Sequence, residues 1–253
     1  MTFLRDTALV FAAQLRDNLR NPLWVIIGLM QPVLYLVLFG PLLENLGDEF
    51  GGGDDPWLVF TPGMLTMIAL FGSAFVGFNM IVELRAGIIE RQRVTPASRG
   101  ALLLGRVGKD MVVLLVQASL LTVVAVLAFG LRPDPAGLVL ALLLVALVAA
   151  GMSSASYALA LRTRSEGSLA SLLNTFSVPL LLLSGILLPM TLAPRWLETL
   201  ATVNPLSHTV DAARALFAGD FGDSEVVVGS VVSIAVAVLL AVVGARTFRR
   251  ENA

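Results

Sequence analysis

Few residues in this chain are equipped for chemistry. Its 253 residues include no cysteine and one histidine, His208. Disulfides, thiolate metal sites and cysteine nucleophiles are excluded, and a lone histidine gives a metal cluster or a catalytic triad little to work with. The plain expectation for His208 is a polar face residue near Asp211. Nucleotide binding is the other chemistry to test. A phosphate-cradling loop needs Gly-x-x-x-x-Gly-Lys-Ser/Thr, so that backbone amides and the lysine hold the phosphates. The sole lysine, Lys109, lies in LGRVGKD, with Leu103 where the first glycine belongs and Asp110 where the hydroxyl belongs. A carboxylate there repels phosphate. No cofactor and no metal is expected on this chain, and it is not expected to be an enzyme. Nucleotide energy has to enter through contact with another polypeptide.

The segment best suited to such a contact is Glu83 to Arg106, ELRAGIIERQRVTPASRGALLLGR. Arg85, Arg91, Arg93, Arg99 and Arg106 face only Glu83 and Glu90, and Ile88 and Ile89 make an apolar spot among them. Thr95-Pro96 stops a helix, because proline disfavours the helical conformation of the residue before it. The pattern predicts a short amphipathic helix at a membrane surface, ending at Pro96. Two readings are open. Ile88 and Ile89 plug an apolar cleft on a partner, with Arg85, Glu90, Arg91 and Arg93 at its rim. Alternatively the segment is a basic loop held by lipid headgroups, at about 1 kcal/mol per basic residue.

The elements that position this segment follow from composition. The chain is 57% hydrophobic and 14% charged, with a mean hydropathy of +0.87. That is too apolar for a soluble domain of this length and reads as an all-α integral membrane protein. Net charge is −1, so the overall balance does not point to nucleic acid. No cleavable signal pattern is expected at the start. Residues 1–21 read as an interfacial helix, with Leu4, Ala8, Phe11, Leu15 and Leu19 on one face. Residues 22–253 form the transmembrane domain. Six runs can each cover a hydrocarbon core of about 30 Å: roughly 23–43, 61–82, 107–130, 138–161, 168–188 and 226–245. Starting the third at Met111, these cores hold no Asp, Glu, Lys, Arg or His. Gln31-Pro32, Gly40-Pro41 and Pro179 are expected kinks.

Arginine and lysine orient the runs. Fourteen of the 17 fall on the side that carries both termini and the Glu83–Arg106 segment, leaving Arg132, Arg195 and Arg214 on the other. The positive-inside bias makes the former side cytoplasmic. The last external stretch, Pro189 to Glu225, reads as two short amphipathic helices around Asn204-Pro205, either dipping into the outer leaflet or lying as a surface loop. Intramembrane polar residues, among them Gln31, Tyr35, Asn79, Asn174 and Ser177, either line a substrate path or join helices by hydrogen bonds of about 0.6 kcal/mol each. In the last run Gly229, Ser233, Ala237, Ala241 and Ala245 recur every four residues, a stripe that permits close helix packing.

Two motifs carry a resemblance. ELRAGIIERQRVTPASRGALLLGRVGKD, with Glu83, Gly87, Glu90-Arg91 and Thr95-Pro96, resembles the segment after the second span of ABC-2 type ABC-transporter permeases, particularly the daunorubicin-permease-like drug exporters. SGILLPMTLAPRWLETLATVNPLSHTVDAAR resembles their stretch after the fifth span, with Pro189, Pro194, Trp196, Asn204-Pro205, Asp211 and Arg214 in order. The likeness covers nearly the whole chain. It implies a six-span permease in a bacterial inner membrane, paired with a second permease, identical or homologous. Two copies of an ABC nucleotide-binding subunit would carry ATP and Mg. The N-terminal helix and a coupling helix over Glu83–Arg99 would sit against that subunit, and helices near Arg195–Val203 and Leu206–Leu216 would form an external re-entrant pair. With the first and fifth spans facing the partner permease, Gln31, Tyr35, Asn174 and Ser177 become the favoured path residues. The implied cargo is a hydrophobic or amphipathic drug, natural product or lipid. The rival from another class is an ion-coupled carrier or channel of six spans.

Overall fold

A computed structural model describes residues 3–20, 23–46, 55–93, 98–187 and 189–251. Among these residues every regular element is helical. The order is α1 (Phe3–Arg20), α2 (Leu23–Leu46), α3 (Pro56–Ala74), α4 (Val76–Arg85), α5 (Ile88–Arg93), α6 (Arg99–Phe129), α7 (Pro135–Thr163) and α8 (Glu166–Leu182). A 3-10 turn (Met190–Leu192) then leads to α9 (Arg195–Ala201), α10 (Pro205–Ala218) and α11 (Ser224–Glu251).

Local chemistry sets the starts and stops. Asp55, Asp134 and Asn204 each accept a backbone N–H of the first turn and are followed by proline, which lacks the donor that turn would leave unpaired. Ser98 and Ser165 cap α6 and α8. Gly130 and Gly219 close α6 and α10 in the left-handed conformation.

Four helical stretches are long and apolar enough to cross a membrane: residues 56–85 (α3 with α4), α6, α7 and Ser224–Phe248 of α11. A fifth arises if α1 and α2 count as one broken span, bent by 69° between Phe3–Arg20 and Val25–Gly40. The chain is an integral membrane protein, and its described residues hold four to five candidate crossings, against six apolar runs in the sequence. Helix α8, on the fifth run, ends after 17 residues, about 26 Å at 1.5 Å per residue.

The polar segment folds differently from expectation. Glu83 and Arg85 belong to the last turns of α4, and α6 already starts at Arg99. Between them the described helical residues are the six of α5. The reason is backbone: Gly87 adopts φ +68, a left-handed conformation that ends α4 at no steric cost. Arg106, Lys109 and Asp110 therefore ride on a long helix and are buried, where the sequence reading placed charge outside the spans.

Helix α7 is central, packed against α3, α4, α6, α10 and α11. Glycines let the backbones approach: a Cβ on Gly151 would stand 2.7 Å from Ala237 Cα, and one on Gly244 2.6 Å from the Ser154 carbonyl oxygen. The stripe on α11 packs as its spacing predicts, with Ser233 and Ala237 buried and Ser233 hydrogen-bonded to Thr209 at 2.8 Å. Helix α1 lies along α6, where Val10 and Phe11 meet Gly105 and Gly108. Its expected apolar face is split by this: Phe11 turns toward α6, while Leu4 and Leu19 remain exposed.

Candidate functional site

At the arginine-rich end, residues of five helices meet in a buried charge cluster. Arg106 of α6, 1% exposed, pairs with Glu83 of α4 at 2.6 Å and donates to Gln92 Oε1 of α5 at 2.9 Å. Three residues along α6, Lys109 pairs with Asp110 at 2.5 Å, and Tyr157 of α7 donates to Asp110 Oδ2 at 2.6 Å. Gln14 of α1 reaches Glu83 at 3.4 Å. Charges this deep persist only when paired, and here each acid has its cation.

This cluster fixes α5. Ile89 is 3% exposed and packs with Met80, Ile81, Leu102 and Leu103 inside the chain. Of the two isoleucines expected to point at a partner, only Ile88 (39% exposed) is turned outward, beside exposed Glu90 and Arg91. Arg85 pairs with Glu166 at 2.7 Å with both side chains well exposed, a contact that adds little stability. Arg93 closes α5. Thr95 and Pro96 lie outside the described residues.

A cavity of about 560 Å³ opens beside the cluster, between α2, α3–α4 and α6. Gln31, Asn79 and Gln117 contribute to its lining, with Lys109 and Asp110 at one end. Gln31 donates to Tyr35 at 3.4 Å. Gln117 crosses to the Val25 carbonyl of α2 at 3.1 Å, which the missing side chain of Gly28 allows. Asn174 is exposed and Ser177 buried on α8, and neither lines this cavity. The path residues expected together are therefore divided between two places.

At the opposite end, α10 carries Arg214, whose side chain is 13% exposed. Its guanidinium donates to the carbonyls of Val59 at 2.9 Å and Gly185 at 2.6 Å, and pairs with Asp211 at 3.2 Å. Burial lowers the Arg214 pKa, and Asp211 opposes that. Burial likewise raises the Asp211 carboxyl above its ordinary value, and Arg214 only partly offsets it. Asn204 is buried and donates to the Leu180 carbonyl at 2.8 Å, while Pro205 opens α10. His208 donates from Nε2 to the Thr202 carbonyl, 3.0 Å away. Pro189, Asp211 and Arg214 border a second cavity of about 570 Å³, and Trp196 is 66% exposed.

The family model for ABC-2 type transporters matches residues 5–218. The chain belongs to this family. Among its relatives, a Cyanophora paradoxa protein described as a transport permease, ycf38, is 28% identical over 78% of this chain and 69% of its own length. The daunorubicin resistance ABC transporter permease DrrB1 of Streptomyces coeruleorubidus is 26% identical over 92% and 82%. A protein of Escherichia coli K12 described as a multidrug ABC transporter permease, YbhR, is 24% identical over 66% and 45%.

As an ABC-2 family member, the chain is a transporter permease subunit. Its sequence points to α5 and the external stretch, but not to Arg106, Lys109, Asp110, Gln92 and Tyr157. A signal for part of that set was present: Arg106, Lys109 and Asp110 recur at spacings of three and four, one face of a helix. A hydropathy window trims such residues from the end of a span, and their partners are distant in sequence.

Proposed function

We propose that this ABC-2 permease is the membrane subunit of an ATP-driven exporter in a bacterial inner membrane, with both termini cytoplasmic. Helices α2 and α8 act as the first and fifth of six spans, and α9 and α10 as an external re-entrant pair. Two copies of the permease, or this chain with a homologue, each dock a separate nucleotide-binding subunit that holds ATP and Mg. Helix α5 is the coupling element, together with α1. Its cargo is a hydrophobic or amphipathic drug, natural product or lipid.

The observation that carries this reading is the mounting of α5. Ile88, Glu90 and Arg91 stand outward, while Gln92 and Ile89 are anchored to the spans through Arg106 and the core behind it. A push on the outward face reaches α4 and α6 through contacts already in place. Co-expression with an adjacently encoded ATPase should give a complex that co-purifies and hydrolyses ATP. Ile88→Asp with Arg91→Glu should break it while the permease stays folded. Retention of the complex by that double variant would overturn the coupling role.

The ion-coupled alternative gains one observation: Asp110 is a buried carboxylate on a cavity wall, the kind of group that binds coupling ions. Lys109 already neutralises it at 2.5 Å, which leaves no charge for an ion to satisfy. Uptake into vesicles driven by a proton gradient, without an ATPase, would favour that alternative.

A further inference from the structure

The cavity between α2, α3–α4 and α6 has a shape and chemistry that narrow its occupant. One wall is a run of phenylalanines, Phe71, Phe75 and Phe78, at helical spacings of four and three. Phe71 and Phe75 have ring centroids 6.2 Å apart and lie 15° from parallel. Phe75 and Phe78 are 5.8 Å apart at 29°. All three line the cavity as a stacked aromatic wall, against which a ring system gains offset or edge-to-face contacts that a flexible aliphatic chain does not.

The polar groups sit at the two ends. Lys109, Asp110 and Asn79 lie at one, and Gln31 and Gln117 at the other. Lys109 and Gln117 share α6 and are eight residues apart, about 12 Å at 1.5 Å per residue. The lining carries one cation and one anion, already paired. A charged guest would lose its hydration and find no spare counter-charge. At about 560 Å³ the space falls within the usual range for a small-molecule site.

We infer that this cavity binds an elongated, uncharged aromatic amphipath, its rings against Phe71, Phe75 and Phe78 and its polar ends at Asn79 and Gln117. This deepens the exporter reading by assigning a substrate class to a site within a single permease chain, and rests on that reading only for the word substrate.

The test uses two dyes that share an aromatic frame. N-phenyl-1-naphthylamine is uncharged, whereas 8-anilinonaphthalene-1-sulfonate carries a sulfonate. Binding to the full chain in lipid nanodiscs is read by fluorescence against empty nanodiscs. The neutral dye should saturate at one site per chain and bind at least about tenfold more tightly than the anion, given the cost of burying an unpaired charge. Phe75→Ala should weaken it about fivefold through lost ring contact, with Phe75→Tyr near wild type. Val113→Trp, which fills the space, should abolish saturable binding while the circular dichroism spectrum stays unchanged. Equal affinity for both dyes, or saturable binding that survives Val113→Trp, overturns the proposal. So does native mass spectrometry showing a phospholipid that Val113→Trp releases. ATP hydrolysis by the assembled complex is measured separately: its absence refutes the exporter reading and leaves the binding result standing.

Discussion

Arg106 joins three elements with one side chain, since Met80 and Glu83 sit on α4, Gln92 on α5 and the arginine itself on α6. Removing one member of a buried ion pair strands the other, at about 3–5 kcal/mol. Arg106→Leu should therefore lower the thermal midpoint sharply, and adding Glu83→Leu should restore much of the loss. A double variant no more stable than the single one would show that the pair is not what holds this end. Arg214 poses a different question, because the shift at its neighbour Asp211 is upward. A raised folded pKa means that the native state takes up the proton first. The ionised carboxyl is penalised in the fold at neutral pH, and the penalty lifts as pH falls through the raised value, fully so below the ordinary one. Acidification should thus favour the fold at this site, and Asp211→Asn should flatten the dependence of the thermal midpoint on pH between neutrality and about pH 4.

At the scale of elements, packing distances make the sharpest statements. Gly151→Ala and Gly244→Ala drive a methyl into the backbone of a neighbouring helix and should cost about 1–3 kcal/mol each. Gly167→Ala, with nothing within 4 Å, should be neutral or slightly stabilising, as alanine is the better helix former. A denaturation series on the three variants checks both claims. Sequence alone was informative about these elements where the cause is local. The Asn204-Pro205 start of α10 and the stripe on α11 are written in neighbouring residues, and so is the all-helical, membrane-spanning class. The inward turn of Ile89 was not, because its partners Met80 and Ile81 lie across a turn whose geometry Gly87 sets. The charge cluster escaped for the same reason: Tyr157 and Asp110 are 47 residues apart, and no local window registers their meeting. The path residues, Gln117 among them, were legible only as polar groups in apolar runs, so their meeting with Lys109 on one cavity wall stayed hidden.

For the whole molecule, the absence of cysteine makes orientation directly measurable. Single cysteines at Arg91 and Asp220 fall on opposite ends of the helical array. In intact spheroplasts an impermeant maleimide should label Asp220→Cys and spare Arg91→Cys until the membrane is opened. The reverse pattern would invert the assigned sidedness and separate α5 from any cytoplasmic ATPase.

The stretch from Pro56 to Arg85 is fastened near both ends by a guanidinium: Arg214 holds the Val59 carbonyl and Arg106 holds Glu83. Thirty residues of helix span about 45 Å, with an interruption at Phe75 that leaves 19 residues on one side and 10 on the other. Under the exporter reading, such a strut would work as a seesaw. Tilting it at one mouth would swing the other, and admission on one side of the bilayer and release on the far side would become phases of a single stroke.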